Sequence, residues 1–411
     1  MRGPVSITLA RYAIISGLLI RHLMNTHSAD ANPFDAADGP GARTRSPVAA
    51  WLLVCCALVF AMVVVGGVTR LTHSGLSIVE WQPIVGTLPP VNEAQWLEAF
   101  DKYKLTPEYR QINHGMSVAE FKSIFWWEYF HRLLGRLIGV VFLLPYVWFL
   151  LRGRLRGPLA GKVFGFFILG GLQGAMGWYM VKSGLVDDPR VSQYRLAAHL
   201  GLAFLIFGLM GWTGLGLLQP RKTGGKPRFP ANTRAGKTAS EAENRGLSPV
   251  SSEAENRGSP PASFTLRLGN GLVALVFVMA LSGALVAGIH AGLAYNSFPL
   301  MNGDFVPPEI FLVEPLWLNF FTNMATVQFD HRLIAWLLMA LIPWFSWRIW
   351  TETPAARPAA VALTLWLAVQ VGLGITTLLL RVPVAFGAAH QAGAMILFGL
   401  VLWANHAIRR A

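Results

Sequence analysis

The chain has 411 residues, of which 54% are hydrophobic and 13% charged, roughly half the charged share of a soluble domain. That composition excludes an ordinary water-soluble globule and fits a polytopic membrane protein, in which each crossing helix takes about 20 apolar residues. The formal charge of +13 does not call for nucleic acid as a partner, because cationic side chains gather in the cytoplasmic loops of membrane proteins.

In chain order, residues 1–45 come first. ITLARYAIISGLLIRHLMNTH has an apolar core of about a dozen residues, too short to span, and the polar ANPFDAADGPGARTRSP follows it. The segment reads as a disordered N-terminal tail. Eight apolar spans are then predicted, at 49–69, 131–151, 161–181, 196–218, 267–288, 331–350, 357–380 and 387–407. Cys55 and Cys56 are the two cysteines, adjacent within the first span. They offer neither a disulfide framework nor a thiolate metal site.

The connections alternate in character. Arg43 and Arg45 precede the first span, Arg152, Arg154 and Arg156 follow the second, and Arg409 and Arg410 end the chain. The segments 70–130, 182–195, 289–330 and 381–386 are mixed in charge and aromatic. The positive-inside rule then places both termini in the cytoplasm. The basic stretch 219–263 carries SEAENRGLSPV followed by SSEAENRGSPP, and reads as a flexible cytoplasmic linker. It divides the chain into a bundle over 46–218 and a second over 264–411.

The halves repeat each other. VFAMVVVGGVTRLTHSGL (59–76) aligns with VFVMALSGALVAGIHAGL (276–293), and FHRLLGRLIG (130–139) with DHRLIAWLLM (330–339). QGAMG (173–177) aligns with QVGLG (370–374), and AAHLGLAFLIFGLM (197–210) with AAHQAGAMILFGLV (388–401). The order is kept and four helices preserve orientation, so the predicted fold is an all-α membrane protein of two tandem four-helix bundles related by a pseudo-twofold axis along the membrane normal.

His131, His199, His331 and His390 fall at equivalent points, each at the start of an even-numbered span and near the outer face. Two imidazoles from parallel helices can clamp one haem iron, and a helical bundle is a common host for such a site. A single histidine at a helix end is more often a packing residue; four at repeat-related positions point to two haem pockets. The sequence has no C-x-x-C-H, so each haem is a b-type group or a removable substrate. His73 and His290 also match across the repeat and rank second as ligands, against a reading as water-facing end caps. Arg132 and Arg332 follow their histidines directly and are candidates for the haem propionates, against snorkelling to lipid headgroups.

One difference between the halves points to chemistry. Glu128 precedes His131 by three residues, on the same helix face, while Gln328 stands at that place before His331. A carboxylate beside a buried cofactor can act as base, nucleophile or electrostatic stabiliser. The bland alternative is an interfacial ion pair with Arg132 or Arg136.

GGVTRLTHSGLSIVEWQPIVGTLPP (66–90), EYFHR (128–132) and the duplicated plan with four histidines closely resemble the haem A synthase family, over about 46–410 apart from the 219–263 linker. The resemblance implies oxidation of the C8 methyl of haem O to a formyl group, giving haem A for cytochrome oxidase. It implies a substrate haem site in the N-terminal bundle at His131, His199 and Arg132, with Glu128 as the catalytic carboxylate. It implies a cofactor haem b in the C-terminal bundle at His331, His390 and Arg332. A multi-pass bacterial inner-membrane location among membrane lipid follows, with haem O synthase, an electron acceptor and a second copy of the chain as candidate partners. Some members carry a cysteine pair in an outer loop. Loops 70–130 and 289–330 contain none, which resembles the proteobacterial and mitochondrial branch. The competing class is a di-haem b electron carrier without substrate chemistry, which needs the four histidines but no acid. A two-half transporter, the third class, would more often show broken helices at the midplane.

Overall fold

Lipid offers a peptide group no hydrogen-bond partner, so an apolar chain crosses it as helices that satisfy their own backbone. A computed structural model describes residues 42–80, 85–186, 189–218 and 262–411. Among them, eight helices are long and apolar enough to cross a membrane. They are α1 (Ala42–Leu71), α2 (Val118–Leu151), α3 (Gly157–Lys182), α4 (Gln193–Leu218), α5 (Ala262–Gly288), α6 (Met324–Glu352), α7 (Arg357–Leu379) and α8 (Val384–Arg410). The expectations of a disordered tail and a flexible linker lie outside the described residues, except that α1 already begins at Ala42 and α5 at Ala262.

The eight predicted spans are all present, and all but the seventh start earlier than expected, α2 the most. Ser117 opens α2 with a capping box: its hydroxyl accepts from Glu120 N–H while the Glu120 carboxylate accepts from Ser117 N–H, at 2.8 Å. The helix therefore starts at Val118, not at 131. Asn323 opens α6 in the same spirit, its side chain accepting from Ala325 and Thr326. His131 and His331 consequently sit inside helices rather than at their first residues.

Helix contacts close two rings. In the first, α1 meets α2, α2 meets α3, α3 meets α4 and α4 returns to α1; α5 to α8 repeat the circuit. The rings join where α1, α4, α5 and α8 pack together. Leu52 and Cys55 of α1, Phe204 of α4, Val273 of α5 and Met395 and Phe398 of α8 are all buried there. Phe204 meets Phe398 across the seam with ring centroids 5.5 Å apart. In lipid such a seam is held by close van der Waals packing, since burial from water contributes nothing once the helices are inserted.

The connection between α1 and α2 is more than a loop. Helices Glu93–Lys104 and Pro107–Gln111, capped by Asn92 and Thr106, fold onto the protruding first turns of α2. Trp96, Phe100 and Tyr103 pack there against Phe121, Ile124, Phe125 and Tyr129. Beneath them Glu108 is buried and accepts from the Tyr103 hydroxyl at 3.2 Å, and Tyr103 in turn accepts from Asn113 Nδ2 at 2.7 Å.

Burial drives the Glu108 carboxyl up to about 7, against the lowering effect of the Tyr103 bond and with repulsion from Glu128 adding to the rise. The folded state thus holds a proton that the unfolded chain releases near pH 4.3. The contribution of this carboxyl to stability is fully present below that pH, falls as pH rises toward about 7, and is gone above. Hydrogen exchange of residues 93–116, corrected for the intrinsic rate, should show protection declining over this window in the native chain and level in Glu108→Gln.

Candidate functional site

A helix brings a bulky ring against a neighbouring backbone only where the neighbour lacks a side chain. Four glycines provide that opening, one for each of the four histidines. A Cβ placed on Gly66 of α1 would lie 3.0 Å from His131 Nε2, and one on Gly177 of α3 would lie 3.0 Å from His199 Cε1. In the second ring a Cβ on Gly283 of α5 would lie 3.2 Å from His331 Cε1, and one on Gly374 of α7 would lie 2.8 Å from His390 Cε1. Each imidazole of an even-numbered helix is thus seated on an odd-numbered one. Within each ring the two imidazoles are close enough to interact electrostatically.

A glutamine one turn before the seat, at the i, i+4 spacing that shares a helix face, fastens two of these histidines. Gln173 Nε2 donates to the His199 carbonyl at 3.0 Å and lies 3.4 Å from its Nε2. Gln370 Nε2 donates to the His390 carbonyl at 3.0 Å and lies 3.2 Å from its Nδ1. Neither glutamine was singled out from the sequence, although QGAMG and QVGLG carry glutamine and glycine at the same spacing. Ser282, beside the Gly283 seat, places its hydroxyl 2.7 Å from His331 Nδ1. The alignment puts Val65 at the matching place in the first half.

The carboxylate of Glu128 is buried, with 2% of the residue exposed. Its Oε2 accepts from the Ser77 hydroxyl at 2.7 Å and from Ile78 N–H at 2.8 Å; its Oε1 accepts from Arg132 Nε at 3.1 Å and Nη2 at 2.7 Å. The ion pair weighed as the bland alternative is therefore present, as part of a fuller cage. In the second half Ala294 replaces Ser77 by alignment, and Gln328 donates through Nε2 to the Tyr295 carbonyl at 3.0 Å.

Arg132 and Arg332 put most of their donors to a use the sequence did not show. Arg132 donates to the carbonyls of Ile78 and Glu80, at 2.7 and 2.9 Å. Arg332 donates to Tyr295 and Ser297, at 3.2 and 2.9 Å, and reaches Pro299 and Leu300 as well. By the alignment Ile78 matches Tyr295 and Glu80 matches Ser297. Each arginine thus pins the same stretch of the connection that follows α1 or α5.

His73 and His290 end α1 and α5 with left-handed backbone, φ 53° and 57°. Their rings stack across the seam at 6.4 Å with planes 9° apart. Burial, with the nearby positive charge of Arg70, then His73 and Arg190, lowers the His290 pKa. A second tie crosses the seam: Gln391, next to His390, donates to the Val63 carbonyl at 2.8 Å, close to Gly67.

A pair of imidazoles in each half is a donor set that suits a haem iron. Buried polar atoms without a protein partner cluster here: His199 Nδ1, Gln173 Oε1, Gln370 Oε1, Gln328 Oε1 and Arg332 Nε. Such atoms are rare in native interiors, and here they offer acceptors and a donor to a bound group. Among the described residues no three histidine, cysteine or acidic side chains converge on a bare metal ion.

The family model of the cytochrome oxidase assembly protein family COX15-CtaA matches residues 49–402. A protein of Nitrosospira multiformis named Heme A synthase is 56% identical over 368 residues, covering 89% of this chain and 94% of that protein. Proteins of the same name from Nitrosomonas eutropha and Parvibaculum lavamentivorans are 51% and 45% identical, covering 92% and 88% of this chain and 98% and 94% of theirs. With duplicated histidine seats, a caged acid in one half alone, and matches of this extent, the chain belongs to the COX15-CtaA family of cytochrome oxidase assembly proteins, the family of the haem A synthases.

Proposed function

We propose that this protein is a haem A synthase, a multi-pass membrane oxidoreductase that converts haem O to haem A by oxidising the C8 methyl to a formyl group. The observation that carries the proposal is the pairing of four glycine-seated imidazoles with a buried carboxylate present in one half only. A plain di-haem electron carrier has no use for that acid, and the relatives are named as synthases. The N-terminal bundle is assigned the substrate, between His131 and His199. The C-terminal bundle is assigned a resident haem b, between His331 and His390. Both termini are placed in the cytoplasm and the histidine side outside, in a bacterial inner membrane, with a separate electron acceptor and haem O synthase as working partners.

When bound, haem b supplies a one-electron redox centre for the oxidation. The chain's own residues do the rest. His131 and His199, in the same half as Glu128, fix the substrate's position beside that carboxylate. Four donors already reach the two oxygens of Glu128. A carboxylate so held would have to shed a donor before attacking carbon, whereas it needs no change to act as a fixed negative charge. Glu128 is therefore assigned as the electrostatic stabiliser of positive charge developing on the reacting methyl carbon. Arg132 and Arg332 hold the outer connections over the pockets, and Arg332 Nε–H is the donor left for an anionic substituent of the porphyrin.

Two experiments test this. Glu128→Gln should retain haem b and lower haem A formation by about 10²–10³-fold, the usual cost of losing a preorganised electrostatic contact. Haem extraction from membranes would measure both, and turnover at the native rate would reject the role. Alanine at either seat separates the pockets, since overpacking costs about 1–3 kcal/mol. Gly374→Ala should purify without its tightly held haem. Gly177→Ala should keep that haem and lose retention of haem O. Pyridine haemochrome spectra distinguish the two, and identical losses would overturn the division between halves.

A further inference from the structure

Among the described residues, His331 alone of the four seated histidines has a hydroxyl on its ring. Ser282 has one O–H, and it donates within its own helix to the Met279 carbonyl at 3.0 Å. The Ser282 oxygen faces His331 Nδ1 at 2.7 Å; an imidazole that binds a metal through Nε2 carries its proton on Nδ1, and Ser282 is then placed to accept it while its own O–H stays on Met279. Nε2 is left with its lone pair and a fixed direction. The adjoining glycine seat, a would-be Cβ 3.2 Å from Cε1, limits ring rotation from the same helix.

The first half lacks this arrangement. Val65 stands where Ser282 does, with Met62 matching Met279, and valine has nothing to offer Nδ1. No hydrogen bond reaches the His131 ring among the described residues, and His199 Nδ1 is buried without a partner. The polar grip on the ligand in one half is exchanged for a polar grip on the acid, Ser77 to Glu128, in the other.

We infer that Ser282 is a positioning residue that locks His331 as a permanent axial ligand, and that Val65 leaves His131 unlocked so that its porphyrin can be exchanged. This rests on the assignment of haem to both histidine pairs. An acceptor on Nδ1–H orients an imidazole and raises its basicity as a ligand, which stabilises the oxidised metal and holds the group longer. An ungripped imidazole does neither, and suits a site whose occupant must enter as substrate and leave as product.

The test uses the full-length protein in native lipid, with four readouts: bound haem b per chain, its rate of transfer to excess apomyoglobin, its midpoint potential, and haem O and haem A retained on purification. Ser282→Ala should release haem b about 10–100-fold faster, the usual effect of removing such a partner, and raise its midpoint potential. Ser282→Thr, which keeps a hydroxyl, should restore both. Val65→Ser should make haem O and haem A co-purify in larger amount and exchange more slowly, with haem b unaltered. If Ser282→Ala binds haem b with native potential and release rate, the inference fails while the haem assignment stands. If Val65→Ser leaves retention unchanged, the second half of the inference fails. If the unaltered protein neither holds nor takes up haem, the underlying assignment fails first.

Discussion

The contact on which this molecule depends is an imidazole lying against bare helix backbone. In a bilayer a ring nitrogen cannot be satisfied by water, and a side chain on the facing helix would hold the ring too far off to share a pocket with its partner. Gly66, Gly177, Gly283 and Gly374 remove that obstacle. Everything else around the pockets keeps those four rings in place: the glutamines one turn away, the seam of α1, α4, α5 and α8, and the outer connections fastened over the top.

The halves share a scaffold and differ in where they place polar atoms. Seats, helix order, terminal left-handed histidines and arginine tethers all occur twice. The differences are few: Ser77 and Glu128 against Ala294 and Gln328, and Ser282 against Val65. One bundle has a caged carboxylate one turn before its histidine; the other has a neutral amide there and a hydroxyl beside the ring. The proposed division of labour between the halves would thus rest on a handful of side chains.

Much of this was legible in the sequence, for physical reasons. Eight hydrophobic runs are carried by composition, and all eight are helices in the structure; the repeat and the matched histidines are carried by spacing, and each of those histidines lies against a glycine of a neighbouring helix. Helix starts were harder. SVAE at 117–120 is a capping box, but the aromatic residues after it looked like an interfacial loop, and the amphipathic outer helices packed on Trp96 and Phe121 have no lipid-length signature. The seats were missed because a glycine in a membrane helix is common, and only the ring packed against it gives it meaning. The hold of Arg132 on Ile78 and Glu80 was not legible at all, since the partners are backbone carbonyls some fifty residues away, and any sequence can supply those.

The arginine tethers have a consequence for the helices that carry them. Arg132 follows His131 and Arg332 follows His331, and successive side chains on a helix diverge by about 100°. Each arginine therefore grips the carbonyls of a distant connection while its neighbouring histidine rests on a glycine of the adjacent helix. A single helical turn in each half is thus moored on two sides at once, and the residue that moors it to the connection needs only backbone for a partner.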